Sequence, residues 1–216
     1  MKKPLFLSFD GIDGVGKTTQ LQHLAQWLQQ QHVPVVTCAD PGGTLLGKEL
    51  RELLLHRSDL HLVPVAEALL FMAARAQLVA EVIRPALNSG QCVLCDRFTL
   101  ANVVYQGYAG GLDPKELWRI GHWSTGGTEP DLTLVLDLAD TSRARERKGS
   151  RMPSDRFEQR DEEYQRRLCE GFRQEAARQP ERIWLIPAEG DVETVQHRLR
   201  QRILPFFHAY GWDLTL

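Results

Sequence analysis

Gly11-Ile12-Asp13-Gly14-Val15-Gly16-Lys17-Thr18 satisfies the pattern G-x-x-x-x-G-K-[ST]. The glycines let successive backbone N–H groups turn inward on phosphate oxygens, and a helix starting behind them adds its positive end. The apolar run PLFLSF comes just before the loop and the helix-compatible stretch Thr19 to Gln31 just after it, which is the strand–loop–helix setting the chemistry needs. Lys17 is expected to reach the β- and γ-phosphates of a bound nucleoside triphosphate and Thr18 to offer its hydroxyl to Mg²⁺, with Thr19 completing the set. A second group, Asp96-Arg97, ends the apolar run CVLC: a carboxylate suited to a Mg²⁺ shell beside a guanidinium that can grip phosphate by two parallel bonds. A third is the arginine-rich segment from about Thr141 to Arg160, broken by Gly149 and Pro153. In a phosphate-handling protein it reads as a lid that brings cations over the transferring group.

These groups need a scaffold that brings strand ends together. Short β-rich runs occur at residues 4–9, 33–38, 92–95, 132–138 and 182–187, separated by long helix-compatible segments. The runs are too continuously apolar to have a wet face, so the expected fold is α/β: a doubly wound, parallel, five-stranded sheet flanked by helices. Ligands in such sheets bind beyond the carboxyl ends of the strands, which here are Asp10-Gly11, Asp40-Pro41, Asp96-Arg97 and Asp137. A chain of 216 residues fits one domain, 1–216, with the lid at about 141–160.

Bulk properties narrow the function classes. A formal charge of −2, from 26 basic and 28 acidic side chains, gives no field for coating a polyanion, so no nucleic-acid partner is expected. No stretch approaches the roughly 18 apolar residues of a membrane span, and the apolar run after Lys2-Lys3 is too short for a signal sequence. Four cysteines suit a reducing cytoplasm; Cys92-Val-Leu-Cys95 spells C-x-x-C but lacks a second ligand pair and reads as buried strand. No N-K-x-D guanine motif is present, and the chain is short for a motor. A small P-loop kinase remains, against a switch that slowly hydrolyses ATP.

At this point the residues resemble a known family, the thymidylate kinases. The strings FDGIDGVGKTTQ, DPGGT, LLFMAARAQLV, DRFTLANVVYQG, PDLTLVLDL and the arginine-rich segment ending in DRFE agree with it in order and spacing over almost the whole chain. The resemblance implies transfer of the γ-phosphate of ATP to dTMP, with Mg²⁺, in a cytoplasmic homodimer. It implies that Phe71 stacks on thymine and Arg75 bonds a base oxygen, and their spacing of four places both on one helix face. It further implies that Arg97 and Arg51 clamp the acceptor phosphate, that Asn102 reads the pyrimidine edge with Gln106 in the same motif, and that Tyr105 crowds the sugar's 2′ position. Asp10 resembles the acidic residue near the acceptor sugar and phosphates, and Asp96 with Thr18 the metal-binding oxygens.

Three departures from the family pattern stand out. Before PGGT the family commonly shows arginine then glutamate, where this chain has Ala39-Asp40. The loop has Gly14 where some members place an arginine, so the transition-state cation is expected from the lid, with Arg147, Arg151 and Arg156 as candidates. In IPAEGD, Pro187 replaces a usual acidic residue, which leaves only backbone near Ala188 for adenine. The open rivals are a kinase for another deoxynucleoside monophosphate or for a free deoxynucleoside, the latter using Asp10 as base, and the ATPase switch.

Overall fold

The computed structural model describes residues 2–57, 59–139 and 161–216. The expected lid and its arginines Arg147, Arg151 and Arg156 lie outside the described residues. Five strands, β1 (Phe6–Asp10), β2 (Val35–Ala39), β3 (Cys92–Asp96), β4 (Leu132–Asp137) and β5 (Ile183–Pro187), form one parallel sheet in the order β2-β3-β1-β4-β5. The five apolar runs are all strands, and three of them are shifted or extended toward their carboxyl ends. β1 and β3 run on through Asp10 and Asp96 because Phe9 pairs with Asp96 and Asp10 with Val135 across the central ladders. Polar residues at a ligand crevice are therefore still sheet residues, which an apolar-run reading cannot capture.

Alternation along β1 puts the two faces of the sheet to different uses. Leu5, Leu7 and Phe9 join the larger cluster, with Leu21, Leu24 and Leu28 of α1 (Lys17–Gln30) and Leu199, Ile203 and Phe207 of α8 (Val192–Ala209). Phe6 faces the other way, into Val93, Cys95, Ile83 and Leu78, the last residue of α3 (Pro64–Leu78). Each fully buried Phe or Leu of this kind contributes about 1.5–3 kcal/mol. Cys92 and Cys95, three apart on β3, fall on opposite faces, in separate clusters, and every described cysteine is free. The C-x-x-C is thus buried strand.

The remaining helices are α2 (Leu45–Leu55), α4 (Arg84–Asn88), α5 (Thr99–Asn102), α6 (Pro114–Ser124) and α7 (Glu162–Arg178). Their starts follow from local chemistry. Thr44, Asp113, Asp161 and Asp191 each accept a backbone N–H of the first turn of α2, α6, α7 and α8. Pro64 and Pro114 occupy first-turn positions where no N–H is needed. Two π-helical stretches, Val79–Ile83 and Val103–Tyr108, were not anticipated; the second carries Tyr105 and Gln106. No helix among the described residues is long and apolar enough to cross a membrane.

Candidate active site

Three of the four carboxylate-bearing strand ends meet at one cavity of about 1100 Å³. Asp40, Asp96 and Arg97 line it and Asp10 lies beneath, fully buried. Asp137 is instead engaged by Arg173 of α7, which donates to both its oxygens at 3.0 Å.

The phosphate loop owes its shape to glycine. Gly11 has φ 128°, and a Cβ there would stand 2.5 Å from the carbonyl oxygen of Leu136. Gly16 turns the chain into α1 with φ 103°, a conformation L side chains rarely adopt. Lys17 curls back over the loop, its Nζ donating to the Ile12 carbonyl at 2.8 Å and the Gly11 carbonyl at 3.2 Å. Burial, then the neighbouring Arg97, pulls its pKa down, so an incoming polyanion relieves a cation held at a cost. Gly14, Val15, Gly16, Lys17, Thr18 and Thr19 line the cavity with Asp13. The Thr18 hydroxyl donates to Asp96 Oδ2 at 2.5 Å, bringing two hard oxygen ligands together at the loop's edge. That donor pair fits Mg²⁺, which takes one or two protein oxygens plus phosphate and water.

Arg97 joins this loop to the rest of the cavity. Its φ is 73°, in the left-handed region that non-glycine residues seldom occupy, and its N–H donates to the Phe9 carbonyl at 2.9 Å. A strained backbone at a site wall is retained when surrounding contacts over-determine it, and here they do. Nη1 donates to the Gly11 carbonyl at 3.0 Å, Nη2 donates to Asp13 Oδ1 and, at 2.9 Å, to the Tyr105 hydroxyl, and the guanidinium lies 4.7 Å from the Tyr105 ring centroid. Asp10 Oδ1 stands 3.7 Å from Nη1, and neither Asp10 oxygen has a hydrogen-bond partner among the described residues. Burial pushes the Asp10 carboxyl up to about 7, against the pull of Arg97 and Lys17. For Asp13 burial works in the same direction, but Arg97 and Lys17 prevail and hold it well below the usual carboxylate range.

In the sequence Asp13 is one variable position of the phosphate loop. Its carboxylate is shared between Lys17, whose Nζ is 3.5 Å from Oδ1, and the pair Arg97 and Tyr105, the Tyr105 hydroxyl donating to Oδ2 at 3.2 Å. No spacing rule reveals this, because the direction of a P-loop side chain depends on a guanidinium 84 residues away.

The base-reading candidates form one buried hydrogen-bonded chain. Arg75, 1% exposed, donates through Nε to Asp40 Oδ2 and through Nη2 to Asn102 Oδ1, both at 2.5 Å, and stacks 5.2 Å from the Phe98 ring centroid. Asn102 Nδ2 donates to Gln106 Oε1 at 2.8 Å, and Gln106 Nε2 to Glu67 Oε1 at 2.8 Å. Two atoms of this chain, Arg75 Nη1 and Asp40 Oδ1, are buried with no hydrogen-bond partner among the described residues. Phe71, half-buried one turn before Arg75, shares the cavity wall with Arg75, Asn102, Tyr105 and Gln106. Asp40 is thus the counter-ion of Arg75, although burial pushes its own carboxyl pKa up. This gives the Ala39-Asp40 departure a structural role for its acidic half.

Arg51, exposed on α2, donates to the Pro41 carbonyl at 2.9 Å and lines the same cavity. Lys48 of α2 and His56, which caps its end, also line it; nothing in their local pattern separates them from a solvated helix face. Gly190, Asp191 and Val192 line the cavity from the start of α8, beside α1, where Gln20 donates to the Val192 carbonyl at 3.0 Å. Among the described residues no group of three or more His, Cys, Asp or Glu is arranged to hold a metal by protein ligands alone.

The thymidylate kinase family model matches residues 9–199. The thymidylate kinase of Symbiobacterium thermophilum is 42% identical over 204 residues, covering 93% of this chain and 94% of its own. That of Synechococcus sp. strain JA-3-3Ab is 45% identical over 202 residues, covering 93% and 96%. The crystal structure of thymidylate kinase from Ehrlichia chaffeensis superposes with a TM-score of 0.77 at 29% identity, covering 94% of this chain and 99% of that one.

Proposed function

The chain belongs to the thymidylate kinase family and transfers the γ-phosphate of ATP to dTMP, giving dTDP and ADP, and on that premise we propose which of its residues carry each part of the reaction. The observation that supports the assignment best is the buried Arg75, held by Asp40 and Asn102 with Nη1 unspent, at the wall of a cavity that also holds a phosphate loop. A charge is rarely buried in this way unless its spare donor has a ligand to meet, and a nucleotide switch has no use for it.

In this reading the triphosphate lies on the backbone N–H groups of residues 11–18, and Lys17 leaves the Ile12 and Gly11 carbonyls for the β- and γ-phosphates. Thr18 and Asp96 hold Mg²⁺, which when bound withdraws charge from the phosphate oxygens. The thymine ring stacks on Phe71, its O4 accepts from Arg75 Nη1, and its N3–H donates to Asn102 Oδ1. Tyr105, fixed through its hydroxyl by Arg97 and Asp13, closes the space a 2′-hydroxyl needs. Arg97 and Arg51 align the acceptor 5′-phosphate with the γ-phosphate, and Asp10 and Asp13 hold Arg97 in place.

The nucleophile is a phosphate oxygen whose second ionisation falls near pH 6, so it needs no strong base at pH 7, and catalysis rests on alignment and charge cancellation. The transition-state cation comes from the lid segment of a single kinase domain spanning 1–216, with Arg147, Arg151 and Arg156 as the candidates. The protein works as a cytoplasmic homodimer, for which the exposed apolar residues Val65 and Leu69 on α3 provide a contact face. Phosphorus NMR of protein, Mg²⁺-ATP and dTMP should show the β-phosphate of dTDP rising in step with ADP. Free phosphate rising instead would mean hydrolysis, and the switch reading would replace this one. Light scattering of the same sample, against a chain mass of 24.6 kDa, decides the dimer.

A further inference from the structure

Glu67 lies in the first turn of α3, 4% exposed, and it is not part of the cavity wall. We propose that Glu67 is a positioning residue for acceptor recognition, acting through Gln106 and Asn102 on the edge that reads the base. The proposal rests on the base-pocket assignment above.

The argument is one of hydrogen-bond polarity. A guanidinium only donates and a carboxylate only accepts, whereas a carboxamide can be turned either way. The chain Arg75 to Asn102 to Gln106 to Glu67 therefore has a donor-only group at one end and an acceptor at the other, and both amides between them obey the same direction. Asn102 presents its carbonyl end to Arg75 and keeps one lone pair of Oδ1 for a ligand. Such an acceptor favours a base with a ring N–H, as in thymine and uracil, and repels the unprotonated N3 of cytosine. Arg75 alone fixes which end of Asn102 faces it. The tilt of the amide plane depends on the second contact, Asn102 Nδ2 to Gln106, and Gln106 is itself held at its far end by Glu67. Without an acceptor at residue 67 the Gln106 amide loses a partner in a buried setting and is free to turn, and Asn102 is held at one end only.

The test compares Glu67→Leu with Glu67→Gln in steady-state assays on dTMP, dUMP and dCMP. Glu67→Leu is expected to raise KM for dTMP about tenfold and to lower the dTMP-over-dCMP ratio of kcat/KM about tenfold. It should leave the dTMP-over-dUMP ratio and KM for ATP within about threefold of the parent protein. Glu67→Gln keeps a carbonyl acceptor and should hold the dTMP-over-dCMP ratio within about threefold. Gln106→Met, which cuts the same chain one step on, should reproduce the Leu phenotype, and the double variant should be no worse than either single. If Glu67→Leu does not fold, Gln106→Met carries the test. An unchanged acceptor ratio, a proportional loss on all acceptors with a raised KM for ATP, or a Gln variant as impaired as the Leu variant would each overturn the proposal. Failure of the parent protein to phosphorylate dTMP would overturn the underlying assignment instead.

Discussion

Replacing Arg97 by lysine is expected to lower kcat/KM for dTMP by about a hundredfold to a thousandfold, with KM for ATP little changed. The guanidinium makes three directed bonds, to the Gly11 carbonyl, Asp13 and the Tyr105 hydroxyl, and lies over the Tyr105 ring. A single ammonium cannot span these partners and still grip an acceptor phosphate by two parallel bonds. Lysine bears the same backbone penalty at φ 73°, so the substitution tests the head group and leaves the strained turn unaltered. A hundredfold to thousandfold loss corresponds to about 3–4 kcal/mol of transition-state stabilisation, within reach of one charged clamp that holds the acceptor phosphate in line. Tyr105→Phe removes only one of the three bonds and should cost less than tenfold on dTMP. Equal losses in the two variants would show that the clamp acts through Tyr105 alone.

Asp40→Ala is expected to produce the largest loss of stability of any single change at the site, about 3–5 kcal/mol. Arg75 and Asp40 are 1% and 0% exposed at their side chains, and the carboxylate is the only anion in direct contact with the guanidinium among the described residues. Their pairing alone is weak evidence of net stabilisation, because both charges were taken out of water. Removing one partner is a different matter: the guanidinium remains buried with the Asn102 carbonyl and the face of Phe98 to answer it, and no anion in contact among the described residues. For a chain of this length the expected fall in melting temperature is on the order of 10 °C. Asp40→Asn retains an acceptor and should lose roughly half as much, and both variants should lose activity on dTMP. A melting temperature within about 2 °C of the parent for Asp40→Ala would show that Arg75 needs no counter-ion.

Much of this site is legible in the amino-acid order because it rests on local rules. The phosphate loop needs glycine at backbone angles other residues avoid, so Gly11 and Gly16 announce it. A sheet covered on both faces needs unbroken apolar strands, so the five runs announce the parallel architecture. The spacing of Phe71 and Arg75 reads directly as a shared helix face, and the structure places both on the cavity wall.

What sequence order concealed is long-range. Asp40, 35 residues before Arg75, reads as the end of a strand, and only folding reveals it as a counter-ion. Asp13 reads as loop, and its carboxylate is claimed by Arg97. Glu67 has no signal in the sequence that sets it apart, and only the structure shows it in the first turn of α3 with its carboxylate bonded to Gln106. The π-helical stretch that carries Tyr105 and Gln106 has no periodic signature distinct from an α-helix over so few residues. In each case the missing information is the identity of a partner far away in the chain.

The most direct test of the central claim is a coupled assay of ADP release with Mg²⁺-ATP and, in turn, dTMP, dUMP, dCMP, dGMP, UMP and thymidine as acceptor. The account predicts that dTMP is the best acceptor and that UMP, which carries a 2′-hydroxyl, is nearly inert. ADP release that no acceptor raises above background hydrolysis would contradict it.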